Sequence, residues 1–311
     1  MIMEIRRLKH QDIDRLRWDQ TVHAAPGPNL YARSWYLDAV CPDWEALASP
    51  DYSYVMPLAP RKRFTIPYLY QPLLSQQHGI LSAQKIEWET VQAFLECIPQ
   101  KYRLIEITLN ERNPVGDLQG ITFHTTLRTD LSHGYDQISA SYNDNTKRNL
   151  KKADTATLTY ETGIPAGQFL SLLMEDEGAG SRILLKKSNR KPLLRLINAL
   201  MIHQAGEISG IRNSDGTLLS AALFARQENM HFFLAPASAH AGRESRAMFM
   251  LIDRYIHLHA GSRAMLDFEG SDIPDVARFY RGFGAAEFVY PSFRLNRLPF
   301  PLKNLADRRI R

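Results

Sequence analysis

The chain has 311 residues, 44% of them hydrophobic and 23% charged, which supplies a sizeable core and excludes a disordered chain. Lys and Arg number 38 against 33 Asp and Glu, a net charge of +5 that favours phosphate-bearing partners without requiring them. No run approaches the roughly 18 apolar residues of a membrane span, and Met1-Ile2-Met3-Glu4-Ile5-Arg6-Arg7 lacks a secretory apolar core, so a cytoplasmic protein without a membrane span is expected.

At roughly 150 residues per domain, the length suggests two domains. An alternating segment around Met3 to Leu8 opens the first, then a helical stretch from about Asp12 to Gln20 and a break at Pro26-Gly27-Pro28. Ser34 is a good N-cap for a helix running to Val40, which stops before Pro42. Strands are expected at Tyr52 to Leu58 and Tyr68 to Tyr70. Ile86, Val91, Phe94, Leu95 and Ile98 then repeat at helical spacing, and strands follow at Arg103 to Leu109 and Ile121 to Leu127. The first domain is placed at 1–135 and the second at 136–311.

The second half opens with a polar, basic helix from Asp144 to Ala153 and a strand at Thr157 to Tyr160. Pro165 and Pro192, suited to first helical turns, open helices running to about Glu177 and Gln204. The turn Asn213-Ser214-Asp215-Gly216 joins strands Ile208 to Arg212 and Leu218 to Arg226, with a third strand at His231 to Ala235. A glycine-containing loop follows, then a helix from about Ser245 to Ala260, a strand at Ala264 to Glu269, a short helix at Asp275 to Arg281 and a final strand. Tyr68-Leu69-Tyr70, loop, helix, Leu104-Ile105-Glu106-Ile107 matches Phe232-Phe233-Leu234, loop, helix, Met265-Leu266-Asp267-Phe268 in order and type, so a degenerate internal duplication is inferred.

Several chemistries lack their motifs. The chain has no phosphate loop, no G-x-S-x-G elbow and no complete G-x-G-x-x-G. Cys41 and Cys97 are too few for a disulfide framework or a cysteine zinc site. The nearest histidines, His257 and His259, point about 200° apart on a helix, so no metal is expected.

The informative stretch runs from His231 to Ala286. A helix beginning at Ser245 would present unpaired N–H groups, with Gly242 admitting a ligand to the backbone, and Arg243, Glu244 and Arg246 flanking the seat. Gly242 to Arg246 thus form the expected phosphate site, although a capped helix with solvated arginines fits the same residues. Alternation on the following strand places Asp267, Glu269 and Ser271 on one face, either as a site or as solvent-exposed carboxylates.

Ala277-Arg278-Phe279-Tyr280-Arg281-Gly282-Phe283-Gly284-Ala285 resembles the segment that ends this helix in the GNAT superfamily, Ala-x-x-x-Tyr-x-x-x-Gly-Phe, with Gly282-Phe283-Gly284 more tightly spaced. The resemblance implies an acyl-CoA N-acyltransferase in which Tyr280 protonates the departing thiolate. A phenol is protonated at neutral pH and can donate to such a leaving group, while a core aromatic is the other reading. Asn145 to Ala153 is similar to the basic segment that opens the second domain of Fem-type aminoacyltransferases, which are tandem GNAT-like domains using aminoacyl-tRNA. Leu30-Tyr31 through Leu37, Tyr70-Gln71-Pro72 through Gln77-His78-Gly79, and Leu266 to Ser271 with Phe279 to Ala285 resemble a related bacterial Fem-like group.

That resemblance implies an α/β protein of two tandem GNAT-like domains with mostly antiparallel, mixed sheets flanked by helices, the first degenerate and the second holding the acyl-donor site. Glu269 or Asp267 would accept the amine proton. Acetyl-CoA or another acyl-CoA would be the donor, or else aminoacyl-tRNA, and a small-molecule or peptide amine the acceptor. Lys147 and Lys151, like Arg148 and Lys152, are four apart and share a helical face, which suits coenzyme phosphate, tRNA or plain solvent. A non-catalytic RNA- or ligand-binding module is the competing function, with the carboxylates structural. The basic tail Asp307-Arg308-Arg309-Ile310-Arg311 reads as a solvated chain end.

Overall fold

The computed structural model describes residues 3–63, 65–270 and 273–308. Two compact units emerge, one holding the chain up to His124 and again from Val289, the other Thr125–Phe288. Residue 135, expected as the boundary, lies inside the second unit, and the last strand returns to the first.

The first unit begins with β1 (Arg6–Leu8), α1 (Arg15–Ala24), α2 (Ser34–Val40), β2 (Glu45–Ala48) and β3 (Val55–Leu58). β4 (Pro60–Arg63), β5 (Ile66–Leu69), α3 (Trp88–Glu96) and β6 (Leu104–Thr108) follow. β1-β2-β3 form an antiparallel sheet, and β4-β5-β6 form another with the returning C-terminal strand beside β6. β5 and β6 are parallel, Tyr68 opposite Leu104, because α3 carries the chain back across the sheet. Val91, Phe94 and Leu95 of α3 bury against Leu69, Ile105 and Ile107. Ser34 is not the N-cap of α2; its hydroxyl and N–H both donate to Asp19, and Arg33 holds the cap position.

β7 (Ile121–Asp130) leads into the second unit, which continues with α4 (Tyr135–Ala140), α5 (Asp144–Asp154), β8 (Thr159–Thr162), α6 (Ala166–Glu175), α7 (Ala179–Leu184) and α8 (Lys187–Ile202). Then come β9 (Gly206–Arg212), β10 (Leu218–Gln227), β11 (Met230–Ser238), α9 (His240–Glu244), α10 (Ala247–His259), β12 (Met265–Asp267) and α11 (Pro274–Arg281). β13 (Ala286–Asn296) and α12 (Leu302–Arg308) close the chain. Its sheet runs β7-β12-β11-β10-β9-β8, antiparallel except for β11 beside β12. Each unit therefore carries a parallel pair joined by a helical crossover, the arrangement the repeated sequence order anticipates.

Strand alternation separates the two faces of this sheet. Ile211, Ala222 and Phe224 pack with Leu251, Tyr255 and Ile256 of α10, and the Phe224 and Tyr255 rings stack at 3.7 Å. On the other parity, Gly206 is so close to Leu200 of α8 that a Cβ would touch it at 2.6 Å. Phe169, Leu172, Leu193, Leu196 and Leu200 of α6 and α8 are buried on this second face. The layering is helix, sheet, helix.

Candidate functional site

The second unit contains a fork. β11 and β12 pair over three positions, Met230–Met265, His231–Leu266 and Phe232–Asp267, after which β12 ends while β11 runs on to Ser238. The β10–β11 register shifts at the same place: Phe233 faces Phe224 and Ala235 faces Leu223, which leaves Leu234 as the extra residue of a bulge. Pro236 has no N–H and would be awkward inside a sheet, yet fits here because β12 has left that edge. β12 turns away through Glu269 at φ 61° and Gly270 at φ 64°. A glutamate in the left-handed region is strained, which marks a constrained site.

Tyr280 lies at the crotch of this fork. Its ring stacks on Phe268, centroids 4.7 Å apart and planes 13° apart, and meets Phe233 of β11 edge-on at 6.0 Å. The side chain is buried, and its hydroxyl makes no hydrogen bond with the described residues. Burial and then the charge of Glu269 push the phenol's pKa up, which keeps it protonated at neutral pH. α11 brings Tyr280 there because Ala277 and Tyr280 bury one face while Arg278 and Arg281 stay outside, paired with Asp275 and Glu287. Tyr280 thus lies within electrostatic reach of Glu269; Ser271 lies outside the described residues.

Asp267 is committed elsewhere. It is fully buried, with Arg128 Nε donating at 2.7 Å, Thr126 Oγ1 at 2.5 Å and the Glu269 N–H at 2.8 Å. Burial raises its pKa while Arg128 opposes that rise. With both oxygens engaged, it anchors β12 to β7 and holds the backbone of Glu269, in place of the base expected of it.

The phosphate seat differs from the expected one. Residues 241–246 are not a loop: α9 fills most of that stretch and α10 starts at Ala247, with Arg246 at the cap position and φ 62°. Ser245 ends α9 and donates to Ala241 and Gly242 carbonyls at 2.8 and 3.3 Å. Gly242 faces inward, where a Cβ would run into the Leu219 carbonyl oxygen, so packing against β10 requires glycine there. Arg243 donates to Asp176 at 2.8 Å and to the Ser238 carbonyl at 2.7 Å, and Glu244 pairs with His240 at 3.4 Å. What stays open is the start of α10. Ala247 and Met248 N–H groups find no partner among the described residues, and Arg246 donates only to the Arg243 carbonyl while its Nε is buried unpaired. Phe249 ties this end to α11, with its ring 4.8 Å from Phe279.

On α5, Arg148, Lys151 and Lys152 are exposed and Lys147 donates to the Ala140 carbonyl at 3.0 Å. The helix packs on α10. Lys151 and Lys152 in its last turn suit the helix dipole without any ligand. His257 lies against Tyr135 and His259 against His231, ring centroids 4.2 and 4.7 Å apart. Among the described residues no group of three or more His, Cys, Asp or Glu could hold a metal ion, and no helix is long and apolar enough to cross a membrane.

Sequence reasoning missed Asp176, whose carboxylate also accepts from Ser181 Oγ at 2.8 Å and the Gly178 N–H at 3.0 Å. It missed Arg128 as well. Pro236 inside a run of strand formers was the available sign of an open edge. A cavity of about 550 Å³ in the first unit, lined in part by Ser82, Lys85, Glu111 and Arg112, touches none of the expected site residues.

No family model matches the chain, and no curated protein matches it. Solved structures do. FemX aligns at TM-score 0.66 with 15% identity over 97% of this chain and 99% of its own. The chain has a GNAT/Fem-like fold. A tandem GNAT protein from the clavulanic acid biosynthesis pathway aligns at TM-score 0.54 with 10% identity over 95% of this chain and 99% of its own. L-PGS from Bacillus licheniformis aligns at TM-score 0.50 with 12% identity over 85% and 88%. At such identities the likeness concerns the fold alone.

Proposed function

We propose that the second unit is an N-acyltransferase that moves an acyl group from acyl-CoA, such as acetyl-CoA, or an aminoacyl group from aminoacyl-tRNA, to a small-molecule or peptide amine. The observation that carries this reading is Tyr280, a phenol held protonated, its hydroxyl without a hydrogen-bond partner among the described residues, where β11 and β12 part. The names of FemX, the tandem GNAT protein and L-PGS are in keeping with it.

The acyl carbonyl would lie against the edge of β11 that β12 leaves uncovered, and the donor's phosphates at the N–H groups of Ala247 and Met248, with Arg246 beside them. As the amine attacks, its nitrogen forms the C–N bond and its proton passes to Glu269. The C–S bond of a thioester, or the C–O bond of an aminoacyl ester, breaks as Tyr280 gives its proton to the leaving atom. Asp267 is a positioning residue that holds the Glu269 N–H. Lys147, Arg148 and Lys151 would contribute charge toward a phosphate-rich donor.

Thermal-shift titration with acetyl-CoA and with charged tRNA selects the donor, since a ligand of the native state raises its melting temperature. With that donor, Tyr280→Phe is expected to lower turnover roughly a hundredfold or more at unchanged donor affinity. Unchanged turnover in both Tyr280→Phe and Glu269→Gln would sink the assignment, and salt-sensitive RNA binding without turnover would favour a binding module.

A further inference from the structure

From Gly178 to Gly206 the chain carries six Lys and Arg residues and not one Asp or Glu. Arg182, Lys186, Lys187, Arg190, Lys191 and Arg195 are all exposed, and none forms an ion pair with a carboxylate of the described residues. Leu193, Leu196, Ile197 and Leu200 bury one side of α8, so helical spacing places Lys187, Lys191, Leu194, Arg195 and Ile202 together on the other. Aliphatic side chains are interleaved with the cations: Ile183 is 50% exposed, Leu194 46% and Ile202 76%. Interleaved with cations on one helix face, these aliphatics make that face amphipathic in the way an interface-seeking helix is.

We infer that the outer face of α7 and α8 docks on an anionic phospholipid surface. The uncompensated cations match a layer of negative headgroups, and Leu194, Ile202 and Ile183 reach the apolar boundary beneath while the long basic stems keep their charges at headgroup level. RNA would accept the same cations, but a single strand is gripped through aromatic platforms, and this stretch contains no Phe, Tyr or Trp. The face lies across the sheet from α10, so it is distinct from the fork at Tyr280.

Co-sedimentation of the full chain with vesicles of phosphatidylglycerol and phosphatidylcholine, against phosphatidylcholine alone, tests this. Binding is expected only to the mixed vesicles and is expected to weaken as salt is added. Lys187→Gln, Lys191→Gln and Arg195→Gln together should lower the partition coefficient roughly a hundredfold, at about fivefold per charge. Leu194→Ser with Ile202→Ser should lower it as well while leaving the melting temperature within a few degrees. Binding to mixed vesicles that ignores the aliphatic pair, no binding to them at all, or a tRNA affinity lost in the charge variant while vesicle binding persists would each overturn the inference.

Discussion

Asp267 and Arg128 meet at 2.7 Å with side-chain exposures of 0% and 4%, a buried pair in which both carboxylate oxygens are engaged. Taking both charges out of water is expensive, and the attraction between them offsets this only while every lone pair is used. Thr126 and the Glu269 N–H complete the carboxylate, and the Phe288 ring covers the guanidinium at 4.6 Å. Asp267→Asn is therefore expected to destabilise the protein by about 3 kcal/mol in urea unfolding, because a buried cation loses its counter-ion. Arg128→Met combined with Asp267→Leu should cost less than either change alone. A sum of the two single effects in the double variant would show that the residues act independently. Tyr280→Phe loses only a hydroxyl without a partner among the described residues, so its stability should stay within about 0.5 kcal/mol of the parent.

The join between β11 and α10 shows what residue patterns convey about elements and what they omit. Local signals were sufficient for the β9–β10 hairpin, marked by Asn213-Ser214-Asp215-Gly216, for α5, marked by its polarity, and for α11, expected at Asp275 to Arg281. They misread 241–246 because Gly242 looks like a loop residue, whereas its reason is the Leu219 carbonyl pressed against it from a strand distant in sequence. Pro192 likewise suggests a helix start, but α8 begins at Lys187 and contains it, and α7 stands before it without a local signal of its own. Asp267 was legible as a costly buried carboxylate and illegible as the partner of Arg128, since their pairing needs β7 beside β12. The fork follows from the same rule: its bulge is a register between strands, which one strand's residues cannot show. Gly242→Ala, harmless in an ordinary helix, should cost about 1–3 kcal/mol here through overpacking. It should also loosen the start of α10, read as faster amide exchange at Ala247 and Met248. Gain of stability in that variant would mean that α9 moves freely off β10.

At the scale of the whole molecule, each unit buries an imidazole in its neutral form. His78 of the first unit is lowered from 6.5 to about 4 by burial, opposed by a hydrogen bond to the Tyr31 backbone, and its Nε2 has no partner among the described residues. His231 of the second is also lowered to about 4, by burial first and then by His259 and Arg226, and its Nδ1 lies 3.0 Å from the Tyr255 hydroxyl. In the unfolded chain both titrate near their ordinary value, so between 6.5 and about 4 the unfolded state binds more protons than the folded one. Stability contributed by these two rings must then fall as the pH drops through that window. Each histidine should cost about 2 kcal/mol between about pH 7.5 and about pH 5 in urea unfolding. His78→Gln and His231→Gln should each remove their share of that slope whatever they do to stability at neutral pH. If the two units unfold in separate transitions, His78→Gln should flatten the pH dependence of one and His231→Gln that of the other. A pH profile that both variants leave unchanged would require these rings to be charged in the folded protein, with a counter-ion beside each.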